Sequence, residues 1–393
     1  MKYLYIVLLF FLFSNKLNAN TLLESLNGAF LNNPKLNAER ASMRASKAEK
    51  NEAVSEFLPS VTISGYDSEI ENTNPGADTN FRPSEQSMVI EQKIFQGFGG
   101  VANFQKKKHQ QKLAEFKLKK IEQETLLEAA KAHTKLLLSI EKVNINLVNI
   151  ELFERQVETD FNRLEKGDIS LTDLAQSESS LAGARAELIA VQNDLVTSKL
   201  NFEKIIGKKP SNDIEKIKEI NLKLPKSLSA AYRISIDENP DLQIALMSFN
   251  SSKSDLLIAG SKLSPSATLS YKIADQEDLS ATITDRTQQT LTAQATWPLF
   301  AGGKNAFSYK KFFEIKNQKE LLLQDQKKTN ETEVANAWSG YQSSKGVLES
   351  IRAQVKAAEI ASEGITLEYE SGGKRTTLEV IQSRSILLNS KIN

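Results

Sequence analysis

The chain carries one ordered set of short motifs twice, and the second copy lies 206 residues after the first. Asn33-Pro34 recurs as Asn239-Pro240, and Pro59-Ser60 recurs as Pro265-Ser266. Two more motifs recur in the same order. Ile94-Phe95-Gln96-Gly97 recurs as Leu299-Phe300-Ala301-Gly302 at an offset of 205. Gly167, Asp173-Leu174 and Gln176-Ser177 recur as Gly373, Glu379-Val380 and Gln382-Ser383 at an offset of 206. A fixed offset between ordered motifs predicts a tandem duplication, which constrains the architecture more than any other signal.

Each copy is predicted to hold a helix, a β-hairpin, a very long helix and a helix that returns alongside it. Proline and glycine are sparse, at 9 and 17 of 393 residues, so long stretches contain no helix breaker. The first repeat is predicted at 20–209, with its hairpin at 60–96, its long helix at 97–166 and its return helix at 171–206. After a linker at 210–225, the second repeat is predicted at 226–393, with its hairpin at 266–299, its long helix at 302–371 and a truncated return helix.

The return helix of the second repeat is shorter than that of the first. Copy one runs 33 residues from Ser177 to Pro210, whereas copy two ends 10 residues after Ser383. We therefore expect the last helix to continue beyond Asn393.

The predicted long helices show the spacing of a coiled coil. No proline or glycine occurs between Val101 and Lys166, and about 65 residues at ~1.5 Å each give a rod of roughly 100 Å. Apolar residues recur there at spacings of 3, 4 and 7: Val143, Leu147, Ile150, Val157, Phe161 and Leu164. This spacing predicts one face that packs against a second helix.

The predicted strands alternate between apolar and polar residues. The apolar parity holds Val61, Ile63, Met88, Ile90 and Ile94 in copy one, and Ala267, Leu269, Tyr271, Ile273, Leu291, Ala293, Ala295, Trp297 and Leu299 in copy two. Polar loops are predicted at 72–83 and from Ala274 to about Gln288. Each strand has the length of a tilted membrane-spanning strand. Such alternation is typical of an outer-membrane barrel, in which Tyr271 and Trp297 would join the aromatic girdles, and also of a half-buried sheet in a soluble domain.

Four strands are too few to close a barrel. Open strand edges are not tolerated in lipid, and the smallest single-chain barrels have eight strands. If the strands lie in a membrane, several protomers must therefore combine them. The predicted fold class is mostly α-helical with membrane β-strands, built from a tandem-duplicated protomer that is part of an oligomer.

The N-terminal segment predicts export from the cytoplasm. Lys2 is followed by an apolar run from Tyr3 to Phe13 and by Leu17-Asn18-Ala19, which is typical of a secretory signal peptide at 1–19. The alternative is a membrane anchor, but a run of about 11 residues is shorter than the ~20 that a spanning helix needs.

Composition argues against several other functions. The chain has no cysteine, which excludes disulfides and thiolate metal sites, and 50 Lys and Arg balance 49 Asp and Glu, which argues against a nucleic-acid partner. The two histidines, His109 and His133, lie 24 residues apart, and no Gly-rich phosphate loop follows a strand. We therefore expect neither an enzyme nor a site for a metal or cofactor.

Taken together, these motifs resemble the TolC family of outer-membrane efflux proteins over essentially the whole mature chain. The resemblance is carried by both Asn-Pro pairs, by Phe57-Leu58-Pro59-Ser60 and by the glycine motif after each hairpin. The most telling segment runs from Glu368 to Val380, with the sequence EYESGGKRTTLEV.

The resemblance implies a homotrimer that combines its strands into a 12-stranded outer-membrane barrel, with a helical tunnel across the periplasm. Such a duct conducts substrate passively. It is in contact with outer-membrane lipid, and it is coupled by a periplasmic adaptor (a membrane fusion protein) to an inner-membrane ABC exporter or proton-driven pump. No cofactor is implied.

The resemblance also places a gate at the periplasmic entrance, formed by a glycine turn, an arginine, two acidic positions and a tyrosine. These positions hold Gly373, Arg375, Glu379, Gln382 and Tyr369. Gln382 has an amide where the family has its second carboxylate. Tyr369 matches the family's tyrosine only if one extra residue is accepted between Tyr369 and Arg375. Three Glu379 carboxylates would form a ring that favours cations. Alternatively, Glu379 is an ordinary residue of a helix first turn, stabilised by the helix dipole.

The same turns are implied to face the adaptor, through Gly167 and Gly373, although either glycine also suits simple turn formation. The segment from Tyr369 to Val380 favours type I protein secretion as the function. A duct for small toxic molecules is the alternative, and a periplasmic coiled-coil adaptor or structural protein is a less favoured one.

Overall fold

The structure is a computed structural model that describes residues 21–74, 77–211, 214–216, 222–280, 283–371 and 375–393. The predicted signal peptide at 1–19 and Gly373 lie outside the described residues, as does part of the predicted linker at 210–225.

The described chain is mostly helical with a small set of antiparallel strands, so the predicted mixture of α and β elements is observed. The helices are α1 (Leu22–Asn32), α2 (Pro34–Glu52), α3 (Gly99–Glu165), α4 (Leu171–Ile206), α5 (Leu228–Glu238), α6 (Pro240–Ser261), α7 (Lys304–Glu370) and α8 (Thr377–Ile392), with a 3₁₀ helix at Ala53–Phe57. The strands are β1 (Ser60–Asp67), β2 (Ile70–Asn74), β3 (Ala77–Phe81), β4 (Ser84–Gln96), β5 (Ser266–Ser280) and β6 (Ile283–Thr296). The long helices α3 and α7 have 67 residues each, or roughly 100 Å at ~1.5 Å per residue.

Contacts divide the chain into two compact units. One unit comprises 1–37, 121–231 and 333–393, and the other comprises 38–120 and 232–332. The first unit has a small apolar core formed by Ala29, Ala129, Leu136, Phe202, Ile206 and Ile214.

The repeated Asn-Pro pair begins a helix in each copy. The Asn239 side chain accepts a hydrogen bond from the Asp241 amide at 2.8 Å, and Pro240 opens α6. This is the preferred chemistry for a helix N-terminus, because asparagine caps an amide and proline has none to satisfy. In copy one, the Asn33 amide also donates to the Ile205 carbonyl of α4 at 3.1 Å.

Within the first unit, α3 and α4 pair as an antiparallel coiled coil. The hydroxyls of Ser139 on α3 and Ser198 on α4 are 2.8 Å apart. On α4 the buried seam keeps heptad spacing, with Leu174, Ser177, Ala184, Val191, Ser198 and Phe202.

The predicted seam of α3 is wrong at two places. Leu147 and Phe161 are 48% and 51% exposed, whereas Asn146 and Asp160, one residue earlier in each case, are buried. The seam follows the phase of Leu136 and Phe153, which are also buried. The Asp160 carboxylate accepts hydrogen bonds there, as buried polar groups require, and the Asn146 amide donates one to the Lys142 carbonyl.

In the second unit, four strands form one antiparallel sheet in the order β1-β4-β5-β6. The register aligns the apolar residues of all four strands on one face, with Val61, Ile90, Tyr271 and Leu291 in a single row. Ile63 and Leu291 on this face are 79% and 69% exposed. No described strand pairs with the outer edge of β1 or β6.

The predicted polar loops are largely strand instead. The segment at 72–83 contains part of β2 and β3, and the described residues of the range 274–288 belong to β5 and β6. Polar side chains do not end these strands, because the main-chain ladder continues and cross-strand pairs support it. An example is the Thr287 hydroxyl, which donates to the Asp275 carboxylate at 2.6 Å.

A β-bulge interrupts the predicted alternation of β4 at Ile94. The β4–β5 register shifts between Lys93 and Phe95, so Phe95 rather than Ile94 lies opposite Ala267. An extra residue in one strand reverses the parity beyond it. Phe95 therefore takes the place opposite Ala267 that strict alternation would give to Ile94.

Candidate functional site

The turn after α3 is a Schellman motif built on Gly167. The Gly167 amide donates to the Leu164 carbonyl and the Asp168 amide to the Arg163 carbonyl, both at 2.9 Å. Gly167 has φ +75°, a conformation that suits glycine. Gly167, predicted to face the adaptor, thus ends the long helix in a tight turn.

The helix that follows this turn begins with a reciprocal capping box. The Ser170 hydroxyl accepts a hydrogen bond from the Asp173 amide, and the Asp173 carboxylate accepts one from the Ser170 amide at 3.0 Å. The hydrogen bonds that the Ser170 hydroxyl and amide donate lower the pKa of Asp173.

The second copy repeats this device 206 residues later, with Thr376 and Glu379 at the start of α8. The Glu379 carboxylate accepts hydrogen bonds from the Thr376 amide at 2.8 Å and from the Arg375 guanidinium at 3.1 Å. These two contacts lower the pKa of Glu379. Glu379 therefore has the helix-capping role that was one of its two interpretations, while its place in a gate ring stays a prediction.

The predicted arginine of the gate binds only nearby carboxylates in the described structure. Arg375 Nε donates to Glu368 Oε2 at 2.6 Å and Nη1 donates to Glu379 Oε1. Both carboxylates raise the pKa of Arg375. Gln382, the other predicted gate position, is exposed on α8.

Tyr369 lies in the interior of the first unit near the end of α7. Its ring is fully buried, and its hydroxyl donates to Asp160 Oδ1 at 2.5 Å and lies 2.9 Å from the Thr377 hydroxyl. Burial and the hydrogen bond to Asp160 raise the pKa of Tyr369 above its ordinary value of 10.0. The tyrosine consequently ties α7 to both α3 and α8.

Asp160 is the residue at the centre of this network, and the sequence analysis missed it. Its carboxylate also accepts hydrogen bonds from Gln156 at 2.9 Å and from Ser177 at 2.5 Å. A carboxylate in a coiled-coil seam was the available signal, because buried acids are rare unless they are paired. The sequence analysis placed Phe161 in the seam in place of Asp160, so Asp160 was not recognised as buried.

Two arginines complete the surroundings of Tyr369. The Arg163 guanidinium lies over the Tyr369 ring, 4.3 Å from its centroid. Arg384 of α8 is buried and donates to the Leu152 carbonyl of α3 at 2.9 Å. Burial lowers the pKa of Arg384. The ends of three helices are thus joined by polar contacts in one small region.

No group of three or more His, Cys, Asp or Glu side chains among the described residues is placed to hold a metal ion. None of the described helices is both long and apolar enough to cross a membrane.

Known proteins share both the sequence pattern and the fold. The family model "Outer membrane efflux protein" matches residues 26–208 and 231–393. The outer membrane efflux protein BepC of Brucella suis biovar 1 (strain 1330) is 24% identical over 380 residues, which cover 95% of this chain and 81% of BepC.

Solved structures agree with this assignment at the level of the fold. A structure of CusC has a TM-score of 0.83 at 14% identity and covers 95% of this chain and 88% of that chain. The CmeC outer membrane channel of Campylobacter jejuni has a TM-score of 0.83 at 14% identity and covers 94% of this chain and 81% of that chain. The resemblance to the TolC family is confirmed, as is the predicted fold of mostly helices with a small set of strands, and the chain belongs to the outer membrane efflux protein family.

Proposed function

We propose that the protein is the outer-membrane exit duct of a tripartite export system, assembled as a homotrimer. The observation that carries this proposal is the four-stranded sheet with one exposed apolar face and two unpaired edges. Three copies would supply twelve strands, which closes a barrel and leaves no edge in lipid. The helices α3, α4, α7 and α8 would then form the periplasmic tunnel.

In this proposal the polar network around Asp160 closes the periplasmic entrance. Tyr369 joins α7 to α3 through a buried hydrogen bond to a carboxylate, and such bonds contribute about 1.5–3 kcal/mol. Opening requires α7 and α8 to leave α3, which breaks this bond. Glu379 and Arg375 lie at the start of α8 and line the entrance, with Glu379 repeated three times around the axis.

The adaptor is proposed to dock at the turns that hold Gly167 and Gly373. The exported substrate is proposed to be unfolded protein delivered by an ABC exporter, because the segment from Tyr369 to Val380 resembles the secretion branch. The alternative is small-molecule efflux with a proton-driven pump.

In-cell crosslinking would identify the partners, and the absence of native cysteines makes the attachment point unambiguous. Lys166→Cys and Asp168→Cys place a thiol-reactive photocrosslinker beside Gly167. Lys199→Cys, at an exposed position of α4, is the matched control. Capture of an adaptor with an ABC exporter supports protein secretion, and capture of an adaptor with a proton-driven pump supports small-molecule efflux. Recovery of the protein in the soluble periplasmic fraction, without a captured adaptor, would overturn the proposal that it is a duct.

Replacing Glu379 by glutamine should lower the cation selectivity of the reconstituted channel and weaken its block by trivalent cations. The substitution removes one carboxylate per protomer, and glutamine still completes a capping box, so the start of α8 is preserved. Reversal potentials in planar bilayers measure the effect. Asp173→Asn, at the equivalent position of the first repeat, is the control, and equal selectivity in both variants would remove Glu379 from the gate.

The trivalent block should also depend on pH in a defined direction. The Thr376 amide and the Arg375 guanidinium lower the pKa of Glu379 below its ordinary value of 4.5. The carboxylate therefore stays charged as pH falls to 4.5, and the block is lost only at lower pH. Loss of the block above pH 4.5 would contradict this assignment.

A further inference from the structure

The cation expected to secure the gate is not placed to do so. Arg375 donates to Glu368 at the end of α7 and to Glu379 at the start of α8. Both partners belong to the same hairpin as Arg375, so these ion pairs do not join that hairpin to α3. They are also partly exposed, and exposed ion pairs contribute only about 0–1 kcal/mol.

Another arginine does join α3 to α7. The Arg163 guanidinium lies 4.3 Å from the centroid of the Tyr369 ring, and its Nη1 is buried without a hydrogen-bond partner among the described residues. A guanidinium over an aromatic face is attracted by the negative face of the ring, and more strongly when it is desolvated. The attraction to the Tyr369 ring therefore compensates for the hydrogen bond that the buried Nη1 of Arg163 does not form.

The position of Arg163 in the chain makes this contact well defined. Its carbonyl accepts the Asp168 amide in the turn at Gly167, which fixes the last turn of α3. Asp160 lies three residues earlier, so both side chains project from one face of the helix. One helical turn thus presents an acceptor for the Tyr369 hydroxyl and a cation for its ring.

We propose that Arg163 is the positioning residue that holds Tyr369 in its bond to Asp160, in place of Arg375. The inference rests on the proposed gate at the entrance of the duct. Arg163 and Tyr369 are separated by 206 residues, the repeat offset, so equivalent positions of the two repeats meet in this contact. Arg163 acts on the ring of Tyr369, and Asp160 acts on its hydroxyl.

Hydrogen exchange on the purified full chain tests the contact without requiring transport. Arg163→Met should raise amide exchange of the α7 segment at 365–371 by roughly three- to thirtyfold, as loss of a desolvated cation–π contact predicts. Arg163→Lys keeps a cation and should recover most of the protection. Arg155→Met removes an exposed arginine of the same helix and should leave exchange at 365–371 unchanged. Arg375→Met removes a partly exposed ion pair to Glu368 and should raise this exchange less than Arg163→Met does.

Two variants of Tyr369 separate a contact with the ring from general loosening of the helix. Tyr369→Phe keeps the ring, so adding Arg163→Met should again raise exchange. Tyr369→Leu removes the ring, so adding Arg163→Met should have no further effect. Equal effects of Arg163→Met on both backgrounds, or a larger effect of Arg375→Met than of Arg163→Met, would overturn the proposal.

Bilayer conductance of the same variants distinguishes failure of this inference from failure of the duct. Increased exchange together with increased conductance supports both the inference and the duct. Increased exchange in a protein that conducts no ions retains the role of Arg163 and rejects the duct. Unchanged exchange rejects the role of Arg163, whatever the conductance.

Discussion

Replacing Asp160 by alanine is expected to produce a permanently leaky channel. The substitution leaves two buried donors, on Gln156 and Ser177, without their acceptor and removes the acceptor that Tyr369 has on α3. Each buried donor without an acceptor costs about 1–3 kcal/mol, so we expect the open population to rise roughly a hundredfold or more. Conductance in planar bilayers measures the change directly. Sensitivity of cells to antibiotics too large for the intact outer membrane measures it in vivo.

Two variants control for this result. Asp168→Ala removes an exposed carboxylate from the adjacent turn and should leave the conductance at its original level. Asp160→Asn keeps an acceptor oxygen without the charge and should give an intermediate conductance, even if the alanine variant fails to assemble. An Asp160→Asn protein that stays as closed as the unmodified protein would reject the network as the element that closes the entrance.

Replacing Leu291 by lysine is expected to prevent assembly in the outer membrane. Leu291 is 69% exposed and lies in the apolar row with Val61, Ile90 and Tyr271. A lysine on the lipid face near the middle of the bilayer costs about 2–4 kcal/mol, and a trimer contains three copies. The measurement is the fraction of protein recovered as a heat-sensitive oligomer in isolated outer membranes.

The adjacent strand position provides the matched control. Thr292 follows Leu291 in β6 and points to the opposite face, which would line the water-filled lumen. Thr292→Lys should therefore assemble normally while adding the same charge to the same strand. If both lysine variants assembled equally well, the apolar face would not be a lipid face and the sheet would belong to a water-soluble arrangement.

The sequence predicted the parts of this structure that depend on regular spacing. Strand faces follow a period of two, so the partners of Tyr271 and Leu291 were placed on the correct face. The bulge at Ile94 has no such signal, and it shifts the register by one residue. The Asn-Pro pairs, by contrast, begin a second helix at Pro34 and at Pro240, where the sequence analysis predicted a single helix before each hairpin.

The candidate site was less accessible to sequence analysis, because it depends on contacts between distant residues. Tyr369 was predicted as a gate residue and lies in the buried network, but its partners Asp160 and Thr377 carry no local signature. Asp160 occupies a seam position that periodicity assigns to an apolar residue. Arg163 could be found only once the ring of Tyr369 was located in space.

The pairing of β4 with β5 has a consequence for how the chain folds. β1 and β4 pair locally, within the first repeat. The other edge of β4 forms its backbone hydrogen bonds with β5, whose residues lie far along the chain. The hydrogen bond from Lys272 to Glu85, for example, spans 187 residues. Pairing at such separation is slow, and an unpaired strand edge invites aggregation meanwhile. We therefore expect the first repeat to need shielding from other chains until the second repeat is available to pair with it.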